Sequence, residues 1–252
     1  MDVVAIIPAR YASTRFPGKP LANKTGKYLI QHVYECVIAA RRIGRCLVAT
    51  DDERIADAVR SFGGEVAMTR ADHASGTDRI TEVVRGQPGE PGDIIVNVQG
   101  DEPDIDPDHL DRLIERLEAE PQCPVGTLAC PFSPPADPRD PNCVKVVRNQ
   151  AGQALYFSRS LIPYARDAGG ELTPSHWLLH LGVYAYCRAF LLEFASWAPS
   201  PLECMEKLEQ LRVLDHGRLM AVEVVEQAGT GVDTPEDYER FVARWRARRP
   251  QP

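Results

Sequence analysis

The feature that most constrains the fold is the regular alternation of short, β-branched apolar runs with segments of helical periodicity. Val3-Val-Ala-Ile-Ile7 is an apolar run closed by Pro8, the pattern of a strand buried on both faces of a parallel sheet. Apolar residues at Ile30, Val33, Val37 and Ile38 then recur at helical spacing within Leu29–Ala40, and Cys46-Leu-Val-Ala49 follows as a second strand. Asp51 or Asp52 caps the next helix, which runs through Phe62 and ends at Gly63-Gly64; Glu65–Met68 is a third strand and Ile94–Val98 a fourth. Strands and helices alternating at this pace predict a three-layer, Rossmann-like α/β fold with a mostly parallel sheet, whose ligands bind beyond the carboxyl ends of the strands. The loops after Ile7 and Val98 are therefore where chemistry is expected.

The rest of the chain is read as part of one domain spanning residues 1–252, with an excursion at about 130–190 introduced by the proline-dense stretch Cys130–Pro141. Strands are predicted at Val144–Val147, Ala154–Phe157, Leu181–Tyr186 and Met220–Val225, and a helix at Leu202–His216 ending at Gly217. Thr234-Pro-Glu-Asp237 opens a terminal helix with Thr234 as N-cap, Pro235 at its first position and an acid at its third. Residues 247–252 look frayed.

Composition excludes several classes. No run approaches the roughly 18 apolar residues of a membrane span. Asp2 stands where an export signal would be basic, so a cytoplasmic protein is expected. Seven scattered cysteines without a C-x-x-C pair suggest reduced thiols rather than disulfides or zinc. A net charge of −7 argues against a nucleic-acid partner. Yet Val3–Tyr34 contains no acid, although the average of 36 acids in 252 residues would place about four or five there, and the same window holds Arg10, Arg15, Lys19, Lys24 and Lys27.

That basic window follows the first strand directly, as Pro8-Ala-Arg-Tyr-Ala-Ser-Thr-Arg-Phe-Pro-Gly-Lys-Pro20. Fixed guanidinium groups, an ammonium and backbone N–H groups brought close by a glycine match the charge of a triphosphate. Two familiar phosphate loops are excluded by spacing: Gly26-Lys27 is followed by Tyr28, with Leu21 where the first Walker glycine would stand, and no G-x-G-x-x-G follows the first strand. Asp101, close behind the fourth strand with Gly100 permitting a tight turn, and Asp233, just before the terminal helix, each suit a turn or cap; as a pair they also suit a phosphate-bound Mg²⁺.

Seven blocks in order carry a resemblance over about Val3–Phe241: P-A-R-Y-A-S-T-R-F-P-G-K-P, A-T-D-D (49–52), T-R-A-D-H-A-S-G-T-D-R (69–79), V-N-V-Q-G-D-E-P (96–103), L-Y-F-S-R (155–159), L-E-Q-L-R (208–212) and G-T-G-V-D-T-P-E-D (229–237). The chain resembles the 3-deoxy-manno-octulosonate (KDO) cytidylyltransferases, with CMP-sialate synthetases and sugar-nucleotide pyrophosphorylases as wider relatives. The resemblance implies transfer of CMP from CTP to KDO with release of pyrophosphate, dependence on Mg²⁺, and a homodimer. It assigns Pro8, Ala9, Arg10, Ser13, Lys19, Ser75 and Gly76 to the nucleotide, Arg10, Arg15, Lys19 and Asp101 to catalysis, and Asp101 and Asp233 to the metal. Arg79, Gln99, Arg159, His180, Tyr184, Glu209 and Gln210 would bind the acceptor; Glu209 and Gln210 are expected to project from the polar side of the helix bearing Leu208, Leu211 and Leu214.

Three positions depart from the family pattern: Leu179 and Cys187 stand where basic residues are common, and Tyr28 replaces a usual proline. The first two flank the acceptor region. Another acidic acceptor (an amino-KDO, a sialic-type sugar or a phosphonate) therefore remains an alternative, as does a non-catalytic nucleotide-binding regulator on the same fold.

Overall fold

The computed structural model describes residues 1–12, 15–166 and 173–248. Its contacts divide the chain into two compact units: residues 1–111 with 229–252, and residues 112–228.

The first unit holds strands β1 (Val3–Ala9), β2 (Arg45–Thr50), β3 (Glu65–Met68) and β4 (Ile94–Asn97), all parallel, in the order β3-β2-β1-β4. Helices α1 (Leu29–Ile38), α2 (Glu53–Ser61) and α3 (Gly76–Arg85) form the crossovers. Because parallel crossovers are right-handed, α1 and α2, which step outward from β1 to β3, cover one face of the sheet. The crossover through α3 returns past β1 and covers the other, giving three layers. The order reverses between β1 and β4, and such a switch point opens a crevice at the carboxyl ends of its two strands.

Local chemistry explains these boundaries. The Asp52 side chain accepts from Arg54 N and caps α2, and the left-handed Gly63 (φ 81°) follows that helix. Tyr28, the N-cap of α1, sits at φ −65°, the angle a proline would impose, so the replacement requires no rearrangement of the backbone. Strand β1 continues past its expected end: its ladder to β2 runs through Pro8 and Ala9, whereas its ladder to β4 stops at Ile6 paired with Asn97. Pro8 has no N–H with which to extend it.

The terminal helix α8 (Pro235–Ala247) belongs to this unit, and the capping box between Thr234 and Asp237 forms as the sequence predicts. Its Tyr238, Phe241 and Val242 bury against Leu29 of α1 and Val232, with Phe16 packed alongside. Helix α4 (Pro107–Ala119), which the sequence reading passed over, contains the boundary between the units.

In the second unit, β5 (Val125–Pro131) pairs antiparallel with β8 (Leu178–Cys187) and parallel with β9 (Met220–Val224). Strands β6 (Lys145–Arg148) and β7 (Ala154–Ser158) form a hairpin, and β6 also pairs antiparallel with β8. Helices α5 (Arg188–Phe194), α6 (Pro201–Glu206) and α7 (Leu211–Asp215) complete it.

The helix predicted over Leu202–His216 is corrected to two. Lys207 adopts a left-handed conformation (φ 54°) that an α-helix cannot accommodate, so α6 ends there and α7 begins after Gln210. Glu209 and Gln210 thus lie in the connecting turn and not on a helix face. Among the described residues no helix is long and apolar enough to cross a membrane, and all seven cysteines are free.

Candidate active site

The crevice at the switch point gathers the residues expected to bind a nucleotide. Two adjoining clefts share Pro8, Ala9, Arg10 and Gln99 along their common wall. One continues past His73, Ser75, Gly76 and Arg79, the other past Arg15, Lys19, Gly100, Asp101 and Asp233. They form one trough, small polar groups at one end and charges at the other. Ser13 lies outside the described residues. Gln99 and Arg79, expected at an acceptor, line the trough as well.

Two glycines permit this convergence by close approach. A Cβ on Gly100 would stand 3.0 Å from the Pro8 carbonyl oxygen, and one on Gly76 would stand 3.1 Å from Pro8 Cγ. Gly100 is not in the left-handed region, so what demands a glycine is the nearness of β1 rather than the tight turn the sequence suggested. The basic loop closes on itself where Gly18 (φ 70°) donates its N–H to Tyr11 O at 3.0 Å. The Arg54 guanidinium stacks 3.4 Å over the Tyr11 ring, which fixes the root of the loop.

At the charged end Lys19 is the hub. Its Nζ lies 2.7 Å from Asp101 Oδ2, 3.7 Å from Asp233 Oδ1 and 2.8 Å from the Val232 carbonyl, while Arg15 Nη2 is 3.1 Å from Asp233 Oδ1. The two acids are thus held at one ammonium, and no cluster of three or more metal-binding side chains occurs among the described residues. A pair of carboxylates suits Mg²⁺, which takes one or two of them and completes its shell with phosphate oxygens and water. Glu102, which the sequence reading passed over although it adjoins Asp101, joins this cluster. Its own burial, followed by the charges of Asp101 and Asp233, pushes its carboxyl up to about 8.

At the other end Ser75 caps α3, its Oγ accepting from Asp78 N at 3.1 Å, so the capping role and a place in the cleft coexist. Arg79 is buried; its Nη1 donates to Thr69 Oγ1 at 2.5 Å and lies 3.0 Å from Asp51 Oδ1. His73, another lining residue not singled out from sequence, is held through Nε2 by Glu82.

The remaining acceptor candidates lie in the second unit. Thr127, His180 and Tyr184 form one group there. The Thr127 hydroxyl lies 2.8 Å from the Val183 carbonyl and 3.2 Å from the Leu181 carbonyl, and its oxygen is 3.0 Å from His180 Nε2. Burial pushes the His180 imidazole down to about 3, so it is neutral at physiological pH. The Tyr184 ring packs against it at 5.6 Å, and burial, then the Glu209 charge, raises the phenol above its ordinary value. Gln210 is 5% exposed, and among the described residues its Nε2 has no hydrogen-bond partner. A buried amide left without a partner marks a place where a ligand's acceptor atom would fit. Leu179 pairs in register with Lys145, which is wholly buried. Paired side chains lie on one face, so a cation at 179 would stand beside a buried ammonium; leucine avoids that repulsion.

Comparison with known proteins shows the family of the chain. The cytidylyltransferase family profile matches residues 4–222. The chain is 51% identical over 251 residues to a 3-deoxy-manno-octulosonate cytidylyltransferase of Syntrophotalea carbinolica, covering 98% of this chain and 99% of that one. It is 49% identical to the enzyme of the same description from Geobacter metallireducens, covering 97% and 98%. Among solved structures it is similar to a CMP:2-keto-3-deoxy-manno-octonic acid synthetase complexed with CTP, with a TM-score of 0.91, 42% identity and coverage of 98% and 99%. A 4-diphosphocytidyl-2C-methyl-D-erythritol synthase, at 14% identity and a TM-score of 0.64, shares the fold.

Proposed function

The chain belongs to the 3-deoxy-manno-octulosonate cytidylyltransferase family, and from that premise we propose that it transfers CMP from CTP to KDO, releasing pyrophosphate. The observation that carries this reading is the trough at the switch point, with small polar groups at one end and Arg15, Lys19, Asp101 and Asp233 at the other.

The anomeric hydroxyl of the sugar attacks the α-phosphorus of CTP. An O–P bond forms, the bond to the bridging oxygen of the leaving pyrophosphate breaks, and the hydroxyl proton passes to solvent. Arg10, Arg15 and Lys19 neutralise charge developing on the phosphate oxygens, and Asp101 and Asp233 would hold Mg²⁺, which supplies further neutralisation there. No covalent intermediate with the protein is required. Pro8, Ala9, Ser75 and Gly76 enclose the base, and Arg79 and Gln99 line the same trough. Arg159, His180, Tyr184, Glu209 and Gln210 recognise the acceptor. Neutral His180 accepts a sugar hydroxyl, Tyr184 and Gln210 donate, and Arg159 takes the carboxylate.

The product is the activated form of a sugar acid for lipopolysaccharide synthesis. Dependence on CTP and seven free thiols support a cytoplasmic setting. A homodimer formed through about residues 130–190 is supported by Leu155 and Tyr164, which are 59% and 81% exposed in this chain. Sedimentation equilibrium would show a monomer if that assembly is wrong.

Pyrophosphate release with CTP and a panel of KDO, amino-KDO, a sialic acid and a small phosphonate tests the function. Turnover is expected with KDO and CTP, and UTP is expected to be used several-fold to a hundredfold less well, since a site matched to the cytosine amine leaves a buried group unpaired with uracil. Release with the phosphonate and none with KDO would overturn the acceptor; release with no acceptor would overturn the enzyme.

A further inference from the structure

Arg159 is held by its backbone and its side chain together. The guanidinium donates from Nε to the Glu206 carbonyl at 2.7 Å, from Nη1 to the Pro141 carbonyl at 2.9 Å and from Nη2 to the Lys207 carbonyl at 3.4 Å. A guanidinium has five N–H donors, so one on each terminal nitrogen is left unclaimed among the described residues. No carboxylate oxygen of the described residues lies within ion-pair distance of it. Neutral carbonyls thus fix the fork and leave its charge available to an anion.

Two further side chains fix those carbonyls. The Glu206 carboxylate accepts from Ser158 Oγ at 2.6 Å and from the Arg159 backbone N–H at 2.9 Å, while its own backbone carbonyl accepts from Nε of the same arginine. Lys145, 0% exposed, donates to the Arg159 carbonyl at 2.5 Å and the Asp140 carbonyl at 3.1 Å, bringing the segment that carries Pro141 against the arginine. Burial lowers the Lys145 pKa. Its direct partners are neutral carbonyls, with the charges of Asp140 and Glu206 nearby, and an ammonium buried in this way is a costly choice for packing alone, where an apolar chain of similar volume would serve. The left-handed Lys207 contributes its carbonyl to the same guanidinium, and Glu209 and Gln210 follow in the same turn.

We infer that Glu206 and Lys145 are positioning residues that aim the Arg159 fork at the acceptor carboxylate, so that preference for a carboxylated acceptor depends on them. The inference rests on the acceptor reading above. An arginine already held in place loses less freedom on binding than a mobile one, and a planar fork rewards a planar carboxylate with two parallel hydrogen bonds. Neither positioning residue touches the sugar.

The test compares KDO with its methyl ester as acceptors for the full-length protein and for Arg159→Ala, Glu206→Gln and Lys145→Met. In Glu206→Gln the amide can keep both contacts, its oxygen on the Arg159 N–H and its nitrogen on the Ser158 hydroxyl, but the negative charge that strengthens them is lost. The acid-over-ester preference in kcat/KM is expected to fall at least about tenfold in Arg159→Ala and about fivefold or more in the other two, through KM for KDO, with KM for CTP within about twofold of wild type. If Arg159→Ala loses the preference while Glu206→Gln and Lys145→Met keep it, the positioning role is wrong and the acceptor reading stands. If Arg159→Ala itself keeps the preference, the acceptor reading falls and this inference with it. Equal losses with acid and ester in a folded Glu206→Gln would mean only structural support and would also overturn the inference. Should Lys145→Met not fold, Glu206→Gln decides alone.

Discussion

Lys19 Nζ lies 2.7 Å from Asp101 Oδ2, and this contact joins the loop after β1 to the loop after β4 across the switch point of the sheet. The same ammonium reaches Asp233 at 3.7 Å, beside Arg15 at 3.1 Å, so Lys19 is the cation that the two carboxylates proposed to hold Mg²⁺ share.

Removing that cation should separate its two roles. In Lys19→Met the acids lose their common partner, so the metal-free variant is expected to be less stable than wild type and to gain more in melting temperature on adding Mg²⁺. Turnover should fall by about 10²–10³, the usual loss when a donor to developing charge is removed. Asp101→Asn and Asp233→Asn should lose activity comparably but respond less to Mg²⁺ in the melt. Scanning calorimetry with and without Mg²⁺, beside pyrophosphate release, checks this; near-wild-type turnover in both Asn variants at saturating Mg²⁺ would contradict the metal assignment.

The approach of Gly100 to Pro8 gives a second expectation. A methyl group 3.0 Å from a backbone carbonyl cannot be absorbed by a side-chain rotation, so Gly100→Ala must spread β1 from β4 at their carboxyl ends. A loss of about 1–3 kcal/mol in urea unfolding is expected from overpacking, with a larger fractional loss of kcat because Asp101 is the next residue. An alanine variant as stable and active as wild type would show that the gap is wider than described.

Much of this site could be read in the sequence because it lies where chain order and strand order dictate its position. Pro8, Lys19 and Asp101 follow predicted strands, and the Thr234 cap and the bounds of β3 rest on local signals alone. The second unit was less legible. The break at Lys207 carries no glycine or proline signature, and a left-handed non-glycine residue costs only about 1–2 kcal/mol, which tertiary bonds readily offset. The turn bearing Glu209 and Gln210 therefore read as continuous helix. The roles of Glu102, Lys145 and Glu206 come from burial and long-range partners, and no periodicity encodes those.

His180 links the second unit to pH. Its pKa of about 3 in the folded protein lies below the unfolded value of about 6.5, so the folded state binds fewer protons between those values. The stability it contributes is fully present above about pH 6.5 and is lost as pH falls toward 3, at up to about 1.4 kcal/mol per unit. Urea unfolding between pH 7.5 and 5 should therefore decline more steeply for wild type than for His180→Asn, the difference isolating this group from the paired carboxylates. Parallel curves would show that the imidazole titrates in the fold as it does in the unfolded chain.

Gln210 offers the sharpest separation of stability from function in the acceptor region. Its side-chain amide is buried, and among the described residues Nε2 donates to nothing, so in the free protein it carries a desolvation cost of about 1–3 kcal/mol without return. Evolution toward stability alone would replace it with an apolar residue. Gln210→Leu, close in volume, is accordingly expected to unfold at equal or higher urea concentration than wild type while its kcat/KM for KDO falls by about tenfold to a hundredfold. KM for CTP should stay within about twofold, because the nucleotide trough is built entirely from residues of the first unit. Glu209→Ala, in the same turn, should show the same kinetic pattern without the gain in stability, since its carboxylate lies 3.7 Å from Arg212 and is not an idle group. Urea titration and two-substrate kinetics on the two variants check both halves. A Gln210→Leu protein that is less stable yet fully active with KDO would place the amide in the fold and not in the acceptor site.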